Sequence, residues 1–349
     1  MASTMLKKLF KQPLFVAGFA VCAFFGILGI LGYSITPDTS VDANQIMPEW
    51  ASLSPGTSKS FVQKQRIEPR STFFWIFGDD GLGEMISVSD SFKSRVNQNT
   101  VSFFNEKRGM QYSISLDSIE GHQIKKRYFL LGTDRFGRDI YSRLVIGTRV
   151  SLSIGFLAMF LSLVIGIFIG LIAGYFGGKI DQFLTWVITV FWSIPTLLIA
   201  LGLSFFLGKG YFQVLLATGL SSWVEVARVV RGQTMQLRNR EFVLSSKIAG
   251  FSSMHIMFRH ILPNLKGSLT VLATTNFAAA ILLEAGLGFL GLGVAPPTPS
   301  WGIMVKENLG YLVIDKAYLA IIPGLAIMFL VMSFNLMSMG IKDSDDHTL

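Results

Sequence analysis

A single cysteine, Cys22, in 349 residues excludes a disulfide framework and a thiolate-held zinc or iron–sulfur centre. Four histidines argue against a His-rich metal site, and no metal ligation is expected. Charge is scarce too: 15% of residues are charged, where soluble domains carry about a quarter. With 51% apolar residues and a mean hydropathy of +0.51, the composition places the chain in a bilayer. Motifs of soluble chemistry are missing as well. Lys179 and Lys209 follow glycine but lack the rest of a phosphate-binding loop, so the chain is expected to bind no nucleotide or other cofactor itself. Neither Gly-x-Ser-x-Gly nor His-Glu-x-x-His occurs, which leaves a membrane hydrolase unsupported. Gly286-Leu-Gly288-Phe-Leu-Gly291 matches a dinucleotide fingerprint formally, but it ends an apolar run instead of following a strand. Close helix packing or a re-entrant turn explains those glycines better.

What is present is a set of apolar runs long enough to cross a bilayer, which takes about 20 residues. Six are expected: Leu14 to Ile35, about Val150 to Tyr175, Phe183 to Leu207, Tyr211 to Ala227, about Leu269 to Leu290, and Tyr318 to Gly340. The first follows Lys7, Lys8 and Lys11 and reads as an uncleaved anchor, since no small-x-small cleavage site closes it. Gly177 to Asp181 reads as a tight turn between the second and third. The fourth is weak, carrying Ser221, Ser222 and Glu225, but the charge pattern requires it. Residues 228 to 266 hold seven Lys or Arg against Glu241, which puts them on the side of the Lys-rich N-terminus, with the C-terminus also cytoplasmic. The net charge of +8 thus reflects placement in a membrane, with no nucleic-acid partner implied.

The expected organisation is a cytoplasmic N-terminus and first helix (1–35), an extracytoplasmic insert with the lead-in to helix 2 (36–149), a five-helix core (150–340) and a cytoplasmic tail (341–349). The insert has 15 basic and 13 acidic residues and reads as a small folded α+β domain. Val101 and Phe103, then Tyr112, Ile114 and Leu116, alternate around Asn105 to Gly109 as in a hairpin, while Thr36 to Ser60 looks irregular. Polar residues in the spans nominate a pathway: Ser193 and Thr196 beside Pro195, Asn276 and Asn335, with Glu284 as an acid near a span end. Each of these polar groups has the commoner alternative role of interhelical glue, and Glu225 and Glu284 read more readily as structural.

The segment 228–266 is the informative one. Glu241 to Ala249 reads as a short helix broken at Gly250, with Ser252 or Ser253 capping a second helix through His260 that stops before Pro263. Met254, Met257, Phe258 and Ile261 form its apolar stripe beside Arg259 and Lys266. Such a helix either lies on the inner headgroups or docks a soluble partner.

Leu244-Ser245-Ser246-Lys-Ile-Ala-Gly250, then Arg259-His260-Ile261-Leu262-Pro263-Asn264, resembles the Glu-Ala-Ala…Gly…Leu-Pro loop of ABC importer permeases. Leu131-Gly-Thr-Asp134-Arg-Phe-Gly137-Arg138-Asp139 with Ser142-Arg143-Leu144, and Glu284 to Gly293 followed by Pro297-Thr-Pro-Ser-Trp301-Gly302, resemble the C-type permease subunit of dipeptide, oligopeptide and nickel importers. The likeness covers about Leu131 to Asn335 and the first span. Leu244, Ser245 and Ser246 replace the family's Glu-Ala-Ala, with Glu241 one turn earlier; Met339 to Asp343 replaces its Gly-Asp-Gly-Leu-Arg-Asp.

The resemblance implies an all-α polytopic membrane protein of six helices with the type I importer permease fold, in a bacterial cytoplasmic membrane. It implies a second permease, two ATPase subunits that bind ATP and Mg, and an extracytoplasmic binding protein as partners. Its coupling loop falls on Glu241, Leu244, Ser245, Ser246, Gly250, Met254, Met257, Phe258, Arg259 and Pro263, with the two Met and Phe258 expected to supply apolar grip. Peptides are favoured as substrate over nickel or oligosaccharides. The rivals are a nucleotide-independent channel and a membrane-anchored scaffold.

Overall fold

The computed structural model describes residues 9–65, 73–79, 82–88, 95–97, 100–105, 110–115, 124–313 and 315–346. Among the described residues nine α-helices have eight or more residues: α1 (Pro13–Ile35), α2 (Ile140–Phe176), α3 (Gly178–Trp192), α4 (Thr196–Leu207), α5 (Tyr211–Leu237), α6 (Glu241–Ile248), α7 (Lys266–Leu290), α8 (Trp301–Asn308) and α9 (Tyr318–Asp346). Among the described residues four helical stretches are long and apolar enough to cross a membrane, or five if α3 and α4 form one broken span.

Local chemistry sets the boundaries. Asp139 caps α2 by accepting from the Ser142 amide at 3.0 Å. Gly177, at φ +69°, ends it. The expected turn over 177–181 therefore shrinks to Gly177, and Asp181 joins the first turn of α3, where it pairs with Arg231 at 2.5 and 2.8 Å. The third apolar run, expected as one helix, is broken: α3 and α4 meet at 85° across Ser193 to Pro195. Proline supplies no amide to the preceding turn and disfavours helix in the residue before it.

The bundle closes around glycine contacts. Gly166, Gly170 and Gly174, one turn apart on α2, sit over the carbonyls of Trp223, Ala227 and Arg231, one turn apart on α5; a Cβ on them would come within 2.6–2.7 Å of those oxygens. This spacing lets the two backbones approach as small residues do in membrane interfaces. In the fingerprint-like string, Gly288 abuts the backbone of Gly302 and Ile303, and Gly291 is the left-handed cap of α7. Helix packing and a cap thus account for both.

Between α1 and α2 the described strands are β1 (Thr57–Gln63), β2 (Met85–Val88), β3 (Arg95–Asn97), β4 (Thr100–Asn105), β5 (Met110–Ser115) and β6 (Lys125–Phe129), in antiparallel sheets ordered β2-β1-β6 and β3-β4-β5. The expected hairpin is present, with Val101 opposite Ile114 and Asn105 opposite Met110; Leu116 lies outside the described residues. The stretch before β1 holds one 3-10 turn, Pro48–Trp50, and contributes Met47 and Trp50 to a small core with Phe61, Met85 and Phe129.

The 131–143 string ties this segment to the bundle. Arg138 bridges Asp134 at 2.6 Å and Glu307 of α8 at 2.8 Å, and Arg143 approaches Glu307 at 3.5 Å. Burial pushes the Asp139 carboxyl above its usual range, against the Ser142 bonds that lower it. Removing one partner of a buried ion pair typically costs about 3 kcal/mol, because the other charge stays behind. Arg138→Met is therefore expected to lower the thermal midpoint of the detergent-solubilised chain clearly. Arg138→Lys should recover part of the loss. An unchanged midpoint in Arg138→Met would show that the cluster does not hold α8 in place.

Candidate functional site

Two regions gather the residues nominated from sequence. The first is the protrusion between α5 and α7. α6 ends at Ile248, and Gly250, at φ +81°, turns the chain. No atom lies within 4 Å of the place a Cβ would take there, so the glycine is required by its backbone conformation alone. Ser252 then caps the next turn by accepting from the His255 amide at 3.3 Å.

That second element differs from the expected α-helix. After Ser253–His255 it widens into a π-helix, Ile256–Ile261, then tightens to 3-10 over Leu262–Leu265 and runs straight into α7. It does not stop before Pro263. The proline falls in the first turn of the 3-10 piece, and the side-chain amide Nδ2 of Asn264 donates to the His260 carbonyl at 2.6 Å.

The extra residue per turn splits the expected stripe. Met257 and Ile261 turn inward with Ile256, packing against Leu171, Tyr175, Val226, Val230 and Val243. Met257, 1% exposed, is therefore part of the root and is no gripping residue, which corrects the expectation. Met254 and Phe258 stay outside at 53% and 44% exposure. With Leu244, Phe251 and Ile248 they make an exposed apolar face.

Glu241, Ser245, Arg259 and Pro263 are exposed, whereas Ser246 is buried. The two serine hydroxyls donate within α6, to the carbonyls of Glu241 at 2.9 Å and Phe242 at 2.8 Å. Leu244 and Ser245 thus face outward while Ser246 does not. Sequence reasoning missed a ring cluster here: Phe251 stacks on His255 at 4.8 Å and His260 lies 5.4 Å from His255. All three rings follow Gly250: Phe251 and His255 are four residues apart, a spacing the sequence shows, whereas His260 joins five residues after His255 where the chain widens into the π-helix, which α-helical spacing does not signal.

The second region is a cavity of about 720 Å³ between α3, α4, α5 and α7. Of the five pathway candidates it contains Thr196 and Asn276. The Asn276 amide donates to Ser162 Oγ at 3.1 Å and the Ser222 carbonyl at 3.3 Å, while its buried oxygen has no partner among the described residues.

The other three do not line it. Ser193 faces away at the bend and donates to the Val190 carbonyl at 2.8 Å. Glu284 is fully buried between α7 and α2, where Ser151 donates to it at 3.0 Å. Asn335 is exposed on α9, one residue after Phe334, whose ring meets Phe277 of α7 at 4.1 Å; the 100° step of a helix carries Asn335 off that face.

In their place the cavity takes Ser221, Ser222, Glu225 and Arg228 from α5. The polarity that weakened this segment as a span is thus gathered on one face, the signal that identifies a cavity wall.

A family model described as "Binding-protein-dependent transport system inner membrane component" matches residues 166–343. The chain is 38% identical over 218 residues to an oligopeptide transport system permease protein OppC of Bacillus subtilis, covering 62% of this chain and 71% of that protein. It is 40% identical over 215 residues to a glutathione transport system permease protein GsiD of Escherichia coli O157:H7, with the same coverage. It is 39% identical over 232 residues to a di/tripeptide transport system permease protein DppC of Pseudomonas aeruginosa, covering 66% of this chain and 75% of that one. Among solved structures, the MetNI methionine ABC transporter in an inward-facing conformation is similar over 59% of this chain and 97% of its own, with a TM-score of 0.47 at 18% identity. The match begins within α2 and takes in the protrusion, the cavity helices and most of α9, so the bundle described above belongs to the family of binding-protein-dependent transport system inner membrane components.

Proposed function

We propose that the chain is one permease half of an ATP-driven importer for di- or oligopeptides. The observation that carries this reading is the protrusion over 241–265: an exposed apolar face on a root packed into α2 and α5, built to pass force from a soluble partner to the bundle. A helix lying on lipid needs no such root. Two ATPase subunits, which bind ATP and Mg, dock there on this chain and on a second permease. An extracytoplasmic binding protein delivers substrate, and closure of the ATPases alternates access to the cavity. The peptide substrate is supported by the names of the relatives, which include oligopeptide and di/tripeptide permeases.

In this reading there are six spans, α3 with α4 counting as one and α5 as the polar-faced sixth. Both termini and the protrusion are cytoplasmic, and the segment between α1 and α2 is extracytoplasmic. Labelling tests the sidedness. Ser58 and Ser245 are both exposed, while the Cys22 thiol lies between α1 and α9, 3.0 Å from Ser333 Oγ. Ser58→Cys is expected to react with an impermeant maleimide in intact spheroplasts and Ser245→Cys only after lysis. The reverse pattern would contradict the topology.

A further inference from the structure

Trp192, Glu225 and Arg228 line the 720 Å³ cavity and also a second one of about 580 Å³, so they form the partition between the two. The first chamber reaches Thr196 and Asn276; the second ends at Arg231, which Asp181 holds. By helical rise Glu225 lies about 21 Å along α5 and Asn276 about 15 Å along α7, so the partition stands well inside the thickness of the bundle. Arg228 stacks over the Trp192 ring at 3.9 Å, which holds the guanidinium against the ring face and leaves its N–H edge to donate to an anion. Glu225, one turn away on the same face, is exposed to the cavities and has no ion-pair partner among the described residues. Glu225 and Arg228 are opposite in charge and one turn apart, yet no ion pair joins them in this arrangement, which leaves each open to a ligand group of opposite charge at a depth where an unmet charge is costly.

We infer that Glu225 and Arg228 form a station for a zwitterion, Glu225 receiving the free ammonium and Arg228 the free carboxylate of a short peptide. Side chains three residues apart on a helix start about 5–6 Å from each other. Two extended residues span about 7 Å, so a dipeptide bridges a pair that splays slightly. The inference rests on the importer reading and deepens it, since it names termini instead of side chains as what the cavity recognises. Apolar and small polar walls then tolerate varied side chains.

The test uses the detergent-solubilised permease–ATPase complex without binding protein, and saturation-transfer NMR titration of dialanine, N-acetyl-dialanine and dialanine amide. Glu225→Gln is expected to weaken dialanine about ten-fold, the size of one lost charged hydrogen bond, and to leave the N-acetyl compound unchanged. Arg228→Gln should weaken dialanine and the N-acetyl compound similarly and leave the amide unchanged, which also demonstrates that the variant is folded. Equal dialanine affinity in wild type and both variants would overturn the station. ATP-driven dialanine uptake by wild-type proteoliposomes supplied with an external binding protein separates the two readings: uptake without the binding pattern overturns the station alone, and the binding pattern without ATP-driven uptake overturns the importer reading.

Discussion

Phe258→Asp in the assembled complex is expected to reduce binding-protein-stimulated ATP hydrolysis at least about ten-fold, while the chain still inserts and its bundle still forms. Phe258 is 44% exposed, so a carboxylate there meets water in the free chain. Buried at a partner interface it would be desolvated without a partner charge, a penalty of a few kcal/mol against an apolar contact. Met257→Asp is expected to behave differently. Met257 sits among Leu171, Val226 and Val230, so a charge there breaks the root, and the chain should fail to accumulate in the membrane. Gly250→Val lies between the two. Its side chain has open space, and the loss is the 1–3 kcal/mol of a strained backbone at φ +81°, enough to redirect the second element and lower coupling in part. ATPase rates and membrane yields of the three variants check the account. Stimulated hydrolysis at the wild-type rate in Phe258→Asp would remove the docking assignment.

The second large effect is expected at the α2–α5 interface. In Gly170→Leu the Cβ would fall 2.7 Å from the Ala227 carbonyl oxygen and 2.8 Å from the Val230 Cβ, with the rest of the side chain still to place. Both opposing atoms are fixed by helix geometry, so the helices must separate, and the matched contacts at Gly166 and Gly174 go with them. Overpacking on this scale costs several times the 1–3 kcal/mol of an added methylene. No folded chain should be recovered. Gly232→Ala on α5 is the control: nothing lies within 4 Å of its Cβ, and alanine is favoured over glycine in a helix by about 1 kcal/mol. It should leave the yield unchanged or raise it slightly. A normal yield of Gly170→Leu would mean that the two helices do not pack as described.

Much of the architecture was legible because its signals are local. Apolar length locates the helices, Gly177 and Gly250 mark the breaks, Ser252 marks a cap, and period-two alternation marks the hairpin over β4 and β5. The candidate site was legible only in part, for reasons that are not local. Met257 was misread because α-helical spacing puts it beside Met254 and Phe258, and the π-helix over Ile256–Ile261 rotates it inward. Asn335 and Ser193 were nominated for polarity alone, which cannot distinguish a cavity wall from an outer face. Glu225 and Arg228 were read as a weak spot in a span and as part of a basic run. Their spacing already puts them on one face of α5, but only the packing of α3 and α7 against α5 makes that face a cavity wall.

The most direct test of the central claim is accumulation of a labelled dipeptide by proteoliposomes carrying the complex purified through a tag on this chain, supplied with an external binding protein. The account predicts accumulation against a gradient that requires ATP inside the vesicles, stops with vanadate, and is lost in Phe258→Asp. Equal dipeptide entry with and without ATP would contradict it and identify a facilitator in its place.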